Sequence, residues 1–555
     1  MGNINIYIDK QYTYRIYLNE IDASSFISYQ KKNDLWKRAI DQLEKDIAEV
    51  AERMKNRKFG EFVWCFTWES HRIDGFIGTP YFYFMIEVIC YLISLRNVKK
   101  IILQRVIPKE LYHAMKNMLP VPVEYSVFSP FDKLKVLYDK HIKSYKNLGS
   151  FVFRSIKFKV QNKGKIDNIY FVQLRNDSDI RRYLSVLKNV QSEKIYHFNK
   201  FIFRPPNVNN MHYKEFDFAM FFNFKIFLKT IIIVSKIKFL IRNECRANGH
   251  TLNANLFYRL VSSQTAIQFF KIVTRALLFD EAFKSINVKA LYLVSSLSST
   301  HSRLPATIAY RNNIKVVIVA SRAMLSNDRP EDRCSSFDIN GYNQTYIGDI
   351  FFVRDHFSKK TLIEQGIKRG SINVINDTKI INGDKKPAVE LNEGIILLLS
   401  QYRCNNAIFE LIASINLRGF KNIYLRSHPL KKKINAVSDI QLKILRRVGF
   451  DIYDITDIPM EDISCFDCVA MTANSTSGVD IVKVGAGVIW LPFITDQSLL
   501  FVQVMVCLGK MCASEGEFKR FFSKLNNNTK KRKEFINQCL LQYKIHFQEE
   551  ALLAS

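Results

Sequence analysis

The sequence predicts an α/β fold built from two Rossmann-like halves joined by a polar linker. Three observations predict it. First, short apolar runs of strand length alternate with segments of helical period, in the order that builds parallel βαβ units. This rhythm runs through KALYLVSS (289–296), IKVVIVA (314–320) and DIFFV (349–353), and begins again at IILLLS (395–400). Second, GDKKPAVELNEG (383–394), between the two series, is polar, contains Pro and has no periodicity, as a linker would. Third, 555 residues exceed what one hydrophobic core organises.

Taken in order, MGNINIYIDKQYTYRIYL alternates like a strand, and Asn33 or Asp34 caps a helix whose apolar positions are Trp36, Ile40, Leu43, Ile47, Val50 and Met54. FVWCFT (62–67) reads as a buried strand, followed by the polar loop WESHRIDGFIGTP, a helix around 81–95 and the strand VKKIILQRV from Val98. Between about 130 and 285 the pattern is irregular. FVFRSIKFKV and DNIYFVQL flank the turn NKGK like a hairpin, which suggests an insertion. After the linker, strands are expected at 395–400, in KNIYLRSHP, in GFDIYDI, at CVAMT (468–472) and at VIWLP (488–492). The expected organisation is an N-terminal helical extension (1–60) and a first Rossmann-like domain (61–382) with its insertion (130–285). The linker (383–394), a second Rossmann-like domain (395–525) and a C-terminal helix (526–555) follow.

Charge is the most unusual bulk property: 81 Lys and Arg against 52 Asp and Glu, a net +29. Such a field favours polyanions, whether nucleic acid, anionic lipid or phosphorylated substrate, without choosing among them. Against nucleic acid, no recognition motif of the common folds is present, so a basic nucleic-acid-binding protein stands only as an alternative. Ten cysteines without framework spacing fit a reducing compartment, and the N-terminus has no secretory n- and h-region.

Two stretches carry candidate chemistry. Arg426-Ser427-His428-Pro429 closes an expected strand, the place where open α/β sheets present ligands. A His there can hydrogen-bond or neutralise a phosphate; a strand-end His in an ordinary loop is equally compatible. About 46 residues on, Asn474-Ser475-Thr476-Ser477-Gly478 lies between a strand and a helix. Hydroxyls and unpaired N–H groups at such a turn suit an anion. A plain N-cap needs only one such hydroxyl.

RSHP followed by TANSTSGVDIVKVGAGVIWLP resembles the donor domain of bacterial GT-B glycosyltransferases that make capsules and other surface carbohydrates. It is similar above all to Kdo and sialic acid transferases that use CMP-activated sugars. The resemblance covers roughly 395–500 and extends loosely over 289–380. It implies two Rossmann-like domains facing a cleft, with no metal and no cofactor beyond the nucleotide-sugar donor. In that reading His428 contacts the donor phosphate, Ser475, Thr476 and Ser477 cradle it, and Arg426 and Gly478 complete the donor site. Where many relatives carry Glu in the helix after the Ser cluster, this chain has Asp480. Teichoic-acid glycerophosphotransferases carry similar elements, so a CDP-linked donor is the alternative. The acceptor is expected to be an oligosaccharide or lipid-linked surface glycan. The protein is expected to be cytoplasmic and held peripherally at the anionic inner-membrane surface.

For the base that deprotonates the acceptor, Trp68-Glu69-Ser70-His71-Arg72-Ile73-Asp74 follows the first expected strand of the N-terminal half. Glu69 is the first candidate, with Asp74 and His71 behind it; a surface loop with Glu69 paired to Arg72 explains the same residues. Cys465-Phe466-Asp467-Cys468 lacks a second ligand pair and reads as buried thiols rather than zinc. The clusters 431–433 and 530–533 read as solvated faces. Phe216–Arg242 is the most apolar segment, interrupted by Lys225, Lys229, Lys236 and Lys238. An interfacial amphipathic helix and a buried core helix both fit it.

Overall fold

The computed structural model describes residues 2–8, 14–18, 21–22, 27–54, 79–103, 115–116, 119–125, 168–173, 186–187, 194–197, 214–216, 218–247, 266–294, 300–319, 348–364, 367–375, 389–399, 405–415, 417, 419–427, 445–446, 449–473, 475, 477–494 and 507–548. The chain divides into two compact units, one holding most of residues 1–352 and the other Val353–Ser555.

In the first unit, the alternating N-terminus forms β1 (Gly2–Ile8), β2 (Tyr14–Leu18) and β3 (Ile21–Asp22), paired antiparallel in sequence. The free side of β1 pairs in parallel with β4 (Val98–Leu103), which pairs with β5 (Val123–Tyr125). Helix α1 (Tyr29–Met54) buries Leu35, Trp36, Ala39 and Leu43, a helical stripe. Trp36 stacks on Phe84 of α2 (Thr79–Leu95) with ring centroids 4.3 Å apart. Buried Asp46 accepts a hydrogen bond from the Tyr83 hydroxyl, which offsets the cost of burying a carboxylate. The strand expected at 62–67 lies outside the described residues.

The larger sheet of this unit contains β6 (Ile169–Val172), β7 (Ile195–His197), β8 (Lys214–Glu215), β9 (Val288–Val294), β10 (Lys315–Val319) and β11 (Ile350–Val353). Their order is β11-β10-β9-β6-β7-β8, with every one of these pairs parallel; the short β12 (Ile372–Val374) belongs to the second unit. In chain order this is 3-2-1-4-5-6, the doubly wound arrangement. Of the stretch 130–285, the described residues therefore supply half of this sheet. The first arm of the expected hairpin, 151–160, lies outside the described residues; the second arm supplies β6, which has β9 on one side and β7 on the other, both parallel. Alternation marks a strand but not its partner. Helix α3 (Phe224–Ala247) packs on α4 (Ala266–Ser285) through Phe227 and Phe270, with ring centroids 5.7 Å apart. Phe283 of α4 in turn meets Phe171 of β6 at 6.1 Å, so α4 lies nearer the sheet than α3. Helix α5 (Thr300–Arg311) links β9 and β10.

The second unit takes in α6 (His356–Glu364), β13 (Val389–Asn392), β14 (Gly394–Leu398), α7 (Asn405–Ala413), β15 (Asn422–Arg426) and β16 (Asp451–Asp454). It continues with β17 (Ile463–Phe466), β18 (Val469–Thr472), α8 (Ser477–Lys483), β19 (Gly487–Trp490), β20 (Lys510–Met511), α9 (Glu515–Asn526) and α10 (Thr529–Tyr543). The main sheet has the order β16-β15-β14-β18-β19-β20 and is parallel throughout, again 3-2-1-4-5-6. Every residue of the central strands β14, β18 and β19 is buried, as a sheet covered on both faces requires, whereas edge strand β16 is mostly exposed. Residues 389–392, read from sequence as part of the linker, instead form β13, parallel to β17. Glu393 turns the chain into β14 with φ +44°.

Two features lock the end of the chain onto this unit. Ser514 and Asn528 cap α9 and α10, accepting from the Glu517 and Lys531 amides. Arg532, expected on a solvated face, is only 3% exposed. Its guanidinium is bidentate to Asp467, donates to the Gly419 carbonyl at 2.9 Å and lies 4.5 Å from the Phe420 ring. A run of four basic residues hid the one whose neighbours are buried.

Candidate functional site

The topology singles out one place in the second unit. Strand order reverses between β14 and β18, and the crevice beyond their carboxyl ends is where an open α/β sheet accepts ligands. The turn that leaves β18 is the Ser/Thr stretch singled out in the sequence, and β15, which ends in Arg426-Ser427, flanks β14 on its other side.

Thr472, fully buried at the end of β18, accepts a hydrogen bond from the Ser475 amide at 3.0 Å. The Ser475 hydroxyl accepts from the Ser477 amide at 3.4 Å, and its carbonyl accepts from the Gly478 amide at 3.0 Å. Three backbone N–H groups of this turn are thus engaged within it. Thr472 was not singled out in the sequence because a strand-ending Thr is ordinary; its role in shaping the turn depends on the fold.

Gly478 is the second residue of α8, and a Cβ there would lie 2.4 Å from Cη2 of the fully buried Trp490. The glycine lets α8 approach β19, whose Trp490 Nε1 donates to the Leu508 carbonyl at 2.5 Å. Gly485, at φ +104°, ends the same helix where a Cβ would meet the Cys465 carbonyl at 2.6 Å.

Arg426 donates through Nη1 to the carbonyls of Ile455 and Ile458, at 3.0 and 2.7 Å. It ties the strand end to the loop after β16. The Ser427 amide donates to Thr456 Oγ1 at 2.9 Å, and the Thr456 amide to Asp454 at 2.9 Å. His428, Thr476, Glu69, His71 and Asp74 lie outside the described residues.

A cation that sequence reading missed stands at this turn. Arg354, immediately after β11, donates from Nη2 to Asp480 Oδ1 at 2.5 Å, with the two side chains 19% and 25% exposed. Asp480 lies in the first turn of α8, three residues from Ser477. Asp480 therefore pairs with an arginine 126 positions away. Only contact across that distance reveals it. The next residue, Asp355, is buried and caps α6 by accepting from the Ser358 amide at 2.7 Å. Burial pushes its carboxyl above the ordinary range, while the Ser358 hydrogen bonds and Arg354 pull it back and Asp480 adds to the rise.

The thiols of Cys465 and Cys468 are buried, and Cys468 donates to the Leu391 carbonyl at 3.3 Å. Hydrogen bonding to Cys468, with burial, pushes Cys465 up; accepting that bond holds Cys468 down. Among the described residues, no three His, Cys, Asp or Glu side chains converge as a metal site.

No protein-family model matches this chain, and no curated protein matches it. Solved structures of similar fold include a protein assigned as a UDP-N-acetylglucosamine 2-epimerase from Listeria monocytogenes. It is 12% identical, with 70% of this chain and 95% of that one covered and a TM-score of 0.37. The wall teichoic acid polymerase TagF with CDPG is 11% identical, over 73% and 92% of the two chains, with a TM-score of 0.37. Os79 from O. sativa, in complex with U2F and a trichothecene, is 8% identical over 68% and 96%, with a TM-score of 0.38. Likeness at this level concerns the arrangement of strands and helices and carries no function with it.

Proposed function

We propose that this chain is a metal-independent glycosyltransferase that binds a nucleotide-activated sugar at the β14/β18 switch point and transfers the sugar to a surface-glycan acceptor. The observation that supports this reading is positional. The Ser475–Gly478 turn, with its hydroxyls and the neighbouring Arg354, falls at the strand-order reversal of a doubly wound sheet. In this reading the bond between the anomeric carbon and the phosphate oxygen breaks and the nucleotide leaves with the electron pair. An acceptor hydroxyl forms the new bond as its proton passes to a general base, for which the Glu69 carboxylate is proposed, with the Asp74 carboxylate and the His71 imidazole as reserves. Hydroxyls and cations aimed at the departing phosphate stabilise it most where charge develops. The proposed donor is CMP-activated, Kdo or a related ulosonate, by the resemblance of RSHP and the Ser cluster.

The test is a nucleotide panel (CMP, CDP, UDP) read by calorimetry on wild type and His428→Ala. Wild type is expected to prefer CMP, and the variant to lose about 1.5–3 kcal/mol of binding while staying folded. A preference for CDP would favour the glycerophosphotransferase alternative. Binding of no nucleotide, or equal binding by the variant, would refute the site.

A further inference from the structure

Helix α3 has one apolar face more than its packing uses. Capped by Asn223, whose Oδ1 accepts from the Ile226 amide at 2.9 Å, it buries Ile226, Thr230, Ile233, Val234 and Ile237 against the body of the unit. The Thr274 hydroxyl of α4 donates to Thr230 Oγ1 at 3.3 Å across that interface. Stepping two residues from 226, 230 and 237 to 228, 232 and 239 turns the helix by about 200° and reaches the opposite face. That face is apolar too: Phe224 is 73% exposed, Leu228 43%, Ile231 41%, Ile232 51% and Phe239 67%. Folding gives no return for five large apolar side chains held in water.

The charge beside this stripe says what covers it. Lys225, Lys229 and Lys236 are exposed and follow one another at spacings of four and seven, so they form a row along one flank of the stripe. From Phe218 to Asn243 the chain has five basic residues (Lys225, Lys229, Lys236, Lys238, Arg242) and no Asp or Glu. Among the described residues no helix is long and apolar enough to cross a bilayer. An apolar stripe flanked by a lysine row, on a helix that does not span, suits the interface of an anionic membrane, with the side chains among the acyl chains and the ammonium groups at the headgroups. We propose that the outer face of α3 docks the protein on an anionic phospholipid bilayer, lying in the plane of the surface. A protein partner would also cover the stripe, but three exposed lysines along its flank, with no acid between Phe218 and Asn243, match a uniformly anionic surface better.

The experiment is co-sedimentation of the full chain with phosphatidylcholine vesicles, with and without phosphatidylglycerol. Wild type is expected to sediment with the phosphatidylglycerol vesicles only, and to be released at about 1 M salt. The triple variant K225Q/K229Q/K236Q should partition on the order of a hundredfold more weakly. L228S/I231S/I232S should lose at least about tenfold. Because all six positions are exposed, both variants should keep the wild-type melting temperature; if one fails to fold, the other decides. Vesicle binding unchanged in the folded variants would overturn the proposal. So would an apolar variant that changes the sedimentation mass without changing vesicle binding, since the stripe would then be covered by a second copy.

Discussion

The Arg354 guanidinium donates to the Asp480 carboxylate at 2.5 Å, joining the residue that follows β11 to the first turn of α8. Neither side chain is more than a quarter exposed, so their attraction is only partly screened by solvent. The pair thus sets an arginine against the acidic residue of the first turn of α8.

Arg354→Met is expected to leave Asp480 without its counter-charge and to cost roughly 1–3 kcal/mol, less than a fully buried pair because both groups keep some solvent. Asp480→Asn in the same chain should recover part of that loss, which a double-mutant cycle by urea unfolding would measure. If Arg354 also faces the donor phosphate, the double variant regains stability but not nucleotide affinity. Recovery of both would confine the arginine to a structural part.

Gly478→Ala should destabilise by about 1–3 kcal/mol, because the added methyl enters the volume of Trp490 in a packed core. Trp490→Leu removes the opposing ring, so the two changes together should cost less than their sum. Additive losses, with the deficit in ligand binding instead of melting temperature, would show that the glycine serves a ligand's approach.

Arg532→Ala leaves Asp467, whose side chain is only 11% exposed, without this partner and the Gly419 carbonyl without its donor. The expected loss is about 3–5 kcal/mol. Arg532→Lys should recover little of it, since an ammonium does not reproduce the planar fork that holds carboxylate, carbonyl and ring together. Chemical denaturation followed by tryptophan fluorescence would check this, Trp490 being in the same core.

Asp355 sets a pH dependence with a definite sign. Its folded-state carboxyl titrates above the ordinary value, so between the unfolded and folded values the native protein binds more protons than the unfolded chain. Its contribution is fully present below the unfolded value and is lost as pH rises through the folded one. Asp355→Asn keeps an oxygen for the Ser358 amide and removes the titration. The variant should therefore gain in melting temperature relative to wild type as pH is raised from the acid side towards neutrality. A constant difference across that range would contradict the assignment.

Glu69→Gln keeps the shape of the side chain but takes no proton. If Glu69 is the base, turnover should fall about 10²–10⁴-fold with nucleotide binding preserved. A wild-type rate would pass the role to Asp74.

Much of the architecture was written along the chain. Short apolar runs such as GIILL at β14 and VAMT at β18 are buried on both faces, so their composition alone marks them as central parallel strands. The Ser475–Gly478 turn was equally legible, because hydroxyls and glycine between a strand and a helix form a local pattern. The strand character of 389–392 was not: VELN has two polar residues and pairs with β17, which lies some 70 positions later.

What the sequence determined by itself was whatever depends on neighbours within a few residues: strand and helix periods, the capping turn after β18, the excess of positive charge. The tertiary structure decided what depends on contact between distant positions. It placed β6 between β9 and β7, paired Asp480 with Arg354, buried Arg532 in a run of lysines, and left one face of α3 packed and the other exposed. A side chain's type states which interactions it can make; which one it makes is set by the partner the fold brings within hydrogen-bonding or van der Waals range, and for these residues that partner lies on another element.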